Sequence, residues 1–155
     1  MQLHAENAFN NTQLARIRVF AGARPDDELC LAQKNRTLHR NFQGYTTKAG
    51  ADLIAFGVSS ISGIDRIYAQ NHRDLQSYYA AIDGNRLPIM RGMRLDDDDV
   101  IRRAVISKLL CHCVLHNKEI ESEFNISFDE YFADSLLQLD ALQRDGLVIL
   151  SPETI

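Results

Sequence analysis

The densest set of chemically capable side chains in this sequence is His39-Arg40-Asn41-Phe42-Gln43-Gly44-Tyr45-Thr46-Thr47. It mixes hydrogen-bond donors, acceptors and aromatic rings, shows no helical or strand period, and precedes the apolar run from Leu53 to Val58. A loop from His39 to Gly50 ahead of a buried strand is therefore expected, as at the mouth of an α/β barrel, where ligands bind. Long ordered loops in compact domains are often functional. The competing interpretation is a loop whose polar groups satisfy only its own backbone.

Two other clusters invite a metal and are better read without one. His112 and His116 stand one helical turn apart and could share a zinc ion, but Cys111 and Cys113 would project about 200° apart on the same helix. A packed Cys113 with half-exposed histidines is expected. Asp96 to Asp99 offers carboxylates to a hard cation, yet consecutive helical residues point in different directions and the run lacks calcium-loop spacing. It is read as a solvated helix start, and no metal ligand is assigned.

The elements that would position these groups follow from pattern. Residues 1–15 are polar and Asn-rich, and are expected to be poorly ordered. Ile17 to Ala21 suits a short strand, and Pro25-Asp26-Asp27-Glu28 starts a helix running from about Asp26 to Leu38. Asp52 to Ser62, with its core Leu53 to Val58, reads as a buried strand. Leu75, Tyr78, Tyr79 and Ile82 recur at helical spacing before Gly84, and Leu87 to Leu95 is extended around Pro88. A long helix then opens at Asp96, with Ile101, Val105, Ile106, Leu109, Leu110 and Cys113 on one broad, well-buried side. A short helix at Lys118 to Phe124 follows. The next spans Ser127 to Arg144, with capping-box spacing at Ser127 and Glu130 and a left-handed stop at Gly146. Leu147 to Leu150 completes the series as the wing strand of a winged helix.

Composition narrows the class. The chain has 155 residues, enough for one ordinary domain or for part of a larger domain joined to a small one. No stretch approaches the roughly 18 apolar residues of a membrane span, and the first residues lack the pattern of a secretory signal, so a cytoplasmic location and no membrane partner are expected. The net charge of −4 is spread along the chain without a basic stripe, which argues against nucleic acid. Three cysteines with no CxxC pair encode neither a disulfide framework nor a zinc ribbon.

One set of spaced motifs is more specific. Arg24-Pro25-Asp26-Asp27-Glu28-Leu29, Ala32-Gln33, Leu38 to Thr47, Gly57 to Ser62, Tyr68-Ala69-Gln70-Asn71, Arg91-Gly92, Arg102-Arg103, Asp129 to Phe132 and Asp145 to Val148 occur in order. Over about residues 24–150 this pattern resembles the oxygen-independent coproporphyrinogen III oxidases, radical S-adenosylmethionine enzymes of haem biosynthesis. The resemblance implies an α/β fold: terminal units of an incomplete (β/α) radical-SAM barrel at 16–92, then a mainly helical, winged-helix-like domain at 96–155, truncated. It also implies the family's chemistry. A 4Fe-4S cluster cleaves S-adenosylmethionine, and the resulting radical takes hydrogen from a propionate. Two decarboxylations then convert coproporphyrinogen III to protoporphyrinogen IX.

Carried over by position, Phe42 and Gln43 match residues lining the family's active site, and Ile61 matches one that contacts S-adenosylmethionine. Their chemistry agrees, since an amide can fix a ligand's polar edge while Phe and Ile supply dry contact. The departures matter equally. The family's CxxxCxxC cluster motif is absent, and its usual Met-Asp-His-Phe before Arg24 is replaced by Arg18-Val19-Phe20-Ala21-Gly22. A fragment is therefore expected, inactive alone and prone to self-association through an exposed barrel edge. The rival reading is a non-catalytic haem or porphyrin-binding module with His39 and the Cys/His cluster as candidate axial ligands.

Overall fold

The computed structural model describes Arg24 and residues 26–155. The expectations for residues 1–15, for a strand at Ile17 to Ala21 and for Pro25 lie outside the described residues.

Helix α1, Glu28–Lys34, starts where the Asp27 carboxylate accepts the Leu29 N–H at 2.9 Å, and stops where Arg36 turns to a φ of 58°. It is shorter than expected because the chain must reverse into strand β1, His39–Asn41. This strand pairs antiparallel with β2, Gly44–Thr46, in the register His39 to Thr46. The expected loop is thus a β-hairpin. Its turn is built locally: Asn41 Oδ1 accepts the Gln43 N–H at 2.9 Å, and Gly44 takes a φ of 135° that side chains disfavour. Three-residue strands with half-exposed faces carry too little alternation to be read from sequence.

The main sheet contains β3, Ile61–Ile64, β4, Ile67–Asn71, and β5, Ile89–Arg94, in that spatial order and entirely antiparallel. The two-residue turn Asp65-Arg66 allows only antiparallel pairing of β3 with β4. Between β4 and β5 runs α2, Leu75–Asp83, capped by Asp74, whose carboxylate accepts the Ser77 N–H at 2.7 Å. The expected buried strand at 53–58 does not form. Leu53 makes one bridge to Gly63, while the Asn71 amide donates to the carbonyls of Ala55 and Gly57, and Ser62 Oγ accepts the Ala55 N–H. Side chains thus take the hydrogen bonds a ladder would need, and Ile54 and Phe56 stay exposed. Among the described residues no two strands pair in parallel and no barrel closes, which corrects the expectation of (β/α) units.

The second half is helical: α3, Asp97–His112, α4, Asn117–Phe124, α5, Phe128–Tyr131, and α6, Ala133–Arg144. Asp96 and Asp99 cap α3 reciprocally, each side chain accepting the other's backbone N–H, so the acidic run is indeed a helix start. The apolar face of α3 is narrower than expected. Ile101 is buried and Val105 and Leu109 pack beside it, whereas Ile106 and Leu110 are exposed and Cys113 is the left-handed cap. The expected single helix from Ser127 is broken at Phe132, and Ser127 makes no cap bond. Glu121 Oε1 instead accepts the Phe128 N–H at 3.0 Å. Gly146 does adopt the left-handed stop.

The core of this half is Ile101, Leu115, Ile120, Phe128 and Phe132, closed by Ile155. Leu115 and Ile155 exchange backbone hydrogen bonds of 2.8 and 3.0 Å, and His116 bridges Thr154. The expected wing strand at Leu147 to Leu150 is absent. Leu147 and Ile149 are exposed, and pairing occurs a few residues later instead. A smaller core of Ala32, Leu38 and Cys111 seats α1 and the hairpin on the end of α3. On α2, by contrast, Leu75, Tyr79 and Ile82 are exposed, so its apolar face is formed but not covered by the described residues.

Candidate functional site

Phe42 projects from the hairpin turn, half-exposed, and meets the Tyr68 ring edge-on with centroids 4.9 Å apart. Tyr68 belongs to β4 and faces Gly63 of β3, where an added Cβ would sit 3.4 Å from the Tyr68 ring. The missing side chain at 63 therefore leaves room for that ring. From α3, Arg103 donates to Tyr68 Oη at 3.4 Å and to the Asp65 carbonyl at 3.1 Å, tying the sheet to the helical half.

Directly cross-strand residues of an antiparallel sheet share a face, as do alternate residues along a strand. Gly63, Tyr68 and Met93 form one row across the three strands, and Ile61, Gln70 and Arg91 form the next. Ile61 therefore lies on the same sheet face as Tyr68, against which Phe42 packs. Two of the residues singled out by sequence, Phe42 and Ile61, thus border one sheet face, although one sits on a hairpin and the other on the main sheet. Gln43 occupies the same hairpin turn. Its backbone is held by Asn41, and its side-chain amide makes no hydrogen bond among the described residues.

The same row contains an oriented polar pair. Gln70 donates from Nε2 to the Ser59 carbonyl at 3.0 Å and accepts at Oε1 from Arg91 Nε at 2.9 Å. The face as a whole offers aromatic edges, an aliphatic side chain and a guanidinium, a combination suited to a flat apolar molecule with an anionic group. Tyr68, Gln70, Arg91 and Arg103 were not named as site residues from sequence. Alternation along Ile67–Asn71 does place Tyr68 and Gln70 on one face, but the register that puts Arg91 beside Gln70 is not visible without the sheet.

The Cys/His cluster does not converge. Cys111, and not the expected Cys113, is the buried thiol, and its burial pushes its pKa up; Cys113 is exposed. Burial, then the positive charges of Arg36, His39 and Lys108, hold the His112 imidazole below its usual range. Among the described residues its Nδ1 is buried without a partner, while His116 caps α4 through its backbone. Among the described residues no group of three or more His, Cys, Asp or Glu side chains is placed to hold a metal ion. No described helix is long and apolar enough to cross a membrane. A shallow cleft of about 390 Å³, lined by Asn117, Asp129, Leu136, Asp140 and Ile155 among others, lies in the helical half and shares no residue with the Phe42 face.

No protein-family model matches the chain. It is 49% identical over 130 residues to the oxygen-independent coproporphyrinogen III oxidase of Synechocystis, covering 81% of this chain and 28% of that protein. It is 48% identical over 126 residues to the enzyme of the same name from Escherichia coli, again covering 81% and 28%. Among solved structures it is similar to coproporphyrinogen III oxidase (HemN) from Escherichia coli, a radical SAM enzyme. The TM-score is 0.81 and the identity 46%, covering 85% of this chain and 30% of that one. The chain thus spans less than a third of the length of these relatives.

Proposed function

We propose that this chain, which is similar in sequence and in fold to oxygen-independent coproporphyrinogen III oxidases, is the part of such an enzyme that carries one wall of the active site. Residues 16–92 belong to the barrel part of such an enzyme, and residues 96–155 form its mainly helical domain. In the complete enzyme the reaction is the oxidative decarboxylation of two propionates of coproporphyrinogen III, giving protoporphyrinogen IX, in the cytoplasm. The observation that carries this reading is that residues matched to the family's active site, Phe42 and Ile61, border one sheet face in a chain this similar to the solved relative.

The residues present do not fit an iron-sulfur cluster. Cys111 is buried and Cys113 exposed, Cys30 stands apart on α1, and no metal-binding group is formed among the described residues. Cluster ligands come from elsewhere in such an enzyme, and this chain alone does not turn over substrate. The Phe42 face does fit the organic cofactor. The family's S-adenosylmethionine supplies the hydrogen-abstracting group when bound, and Phe42, Ile61 and Gln43 provide dry contact and a polar edge beside it. The apolar face of α2 and the edge of β5, which no described residue covers, favour self-association of the isolated chain.

The test is a chimera in which this chain's residues 24–150 replace the matching segment of the Escherichia coli enzyme. Anaerobic conversion of coproporphyrinogen III to protoporphyrinogen IX is expected to persist. A chimera that folds and holds its cluster yet yields no product rules the reading out.

A further inference from the structure

Arg91 differs from Arg66, Arg102 and Arg103 in what it faces. Arg66 pairs with Asp97 at 2.6 Å and Arg102 with Asp98 at 2.7 Å, so each has a carboxylate of its own. Arg103 is spent on Tyr68 and the Asp65 carbonyl. Arg91 has no carboxylate partner among the described residues, and its one hydrogen bond runs from Nε to Gln70.

That bond is directional. Gln70 is itself fixed at its other end, because its Nε2 donates to the Ser59 carbonyl. A guanidinium held through Nε keeps its two Nη nitrogens as an open fork, the geometry that takes a carboxylate through two parallel bonds. Ile61, Gln70 and Arg91 lie in one row across the sheet, so the fork stands on the face bounded by Ile61, Tyr68 and Phe42.

We propose that Arg91, oriented by Gln70, binds a carboxylate of the ligand that occupies the Phe42–Ile61 face, and so sets how that ligand lies against the apolar wall. The inference rests on the proposed function, which supplies two carboxylate sources: a propionate of the tetrapyrrole and the amino-acid carboxylate of S-adenosylmethionine. Arg91 acts here as a positioning residue, since it grips a group that does not need to react.

The experiment titrates the full chain with coproporphyrin III, the oxidised tetracarboxylate, followed by porphyrin absorbance, and separately with S-adenosylmethionine by calorimetry. The tetramethyl ester of coproporphyrin III is the control without carboxylates. Arg91→Ala is expected to weaken one of the two carboxylate ligands about tenfold, the scale of one charge-assisted hydrogen-bonded contact, and Arg91→Lys to restore part of it. The ester should bind wild type and variant alike. Loss confined to the porphyrin assigns the tetrapyrrole as the source, and loss confined to S-adenosylmethionine assigns the cofactor. Arg91→Gln, with similar reach and no charge, replaces Arg91→Ala if that variant's thermal midpoint falls. The proposal is overturned if the unmodified chain binds neither carboxylate ligand, if the variants bind as tightly as wild type, or if the ester loses as much as the acid. An active chimera with unchanged Arg91 affinities defeats only this inference, whereas an inactive chimera with intact Arg91 selectivity defeats the proposed function.

Discussion

Phe42 and Tyr68 meet edge to face at 4.9 Å, one on the hairpin turn and the other in the middle strand of the main sheet. This contact joins two small sheets that share no backbone ladder among the described residues, and it leaves half of Phe42 open to whatever occupies the face. An aromatic pair of this kind contributes about 0.5–1.5 kcal/mol beyond its buried area. Phe42→Ala in the chimeric enzyme should therefore cost a modest fraction of stability and a larger fraction of turnover. Phe42→Leu should recover the thermal midpoint better than the rate. Parallel recovery of both would make Phe42 a packing residue only.

Gln43 separates the two roles more cleanly, because its side chain bonds to nothing among the described residues. Gln43→Ala should leave stability within about 0.5 kcal/mol of wild type, as for a surface change that breaks no contact. Most decarboxylation should nevertheless be lost, since a missing ligand contact misplaces the reacting carbon. Thermal melts and single-turnover product analysis of the chimera check this, and near-normal turnover would remove Gln43 from the site.

Hydrogen exchange should divide the chain. Ile101 to Leu110 lies in a helix packed on a core that includes fully buried Leu115, Ile120 and Phe128, while Leu53 to Val58 has one bridge and exposed Ile54 and Phe56. Amides of the first segment are expected to exchange far more slowly than those of the second, because local opening tracks packing. Equal or reversed protection by mass spectrometry would contradict the division.

The acidic start of α3 predicts a pH effect of defined sign. Asp98 accepts from Arg102 Nε at 2.7 Å and from Tyr131 Oη at 2.6 Å, and these bonds, that from Arg102 first, hold its carboxyl below the usual range. A lowered folded-state pKa adds stability that is present above the ordinary carboxylate range and lost as pH falls through the folded value. Tyr131 runs the other way. Its hydroxyl is raised, chiefly by Asp98, so its contribution holds below the ordinary tyrosine range and fades as pH rises through its folded value. Asp98→Asn should thus lower the thermal midpoint at neutral pH, with the gap to wild type closing as pH falls through and below the ordinary aspartate range. A gap independent of pH would assign the loss to shape and not to charge.

Local patterns determined much of this protein. The Asp96 cap, the helices at 97–112 and 117–124, the extended segment around Pro88 and the left-handed Gly146 are each specified by residues within a turn or two, and each is found where the pattern puts it. The spaced motifs also pointed to the oxygen-independent coproporphyrinogen III oxidases, to which the chain is similar, because many weak matches in order are collectively specific. What failed was non-local. The apolar run at 53–58 has the composition of a strand but loses its ladder to the side chains of Asn71 and Ser62, which are close to it only in the folded chain. Leu147 and Ile149 look like a wing strand, yet the pairing with the Leu115 region is taken by Thr154 and Ile155. The candidate site shows the same limit. Phe42, Gln43 and Ile61 were legible as types in motifs, but that Phe42 rests on Tyr68 and that Arg91 stands beside Gln70 depends on strand register. Register is set by which faces bury against which, and that choice belongs to the tertiary structure alone.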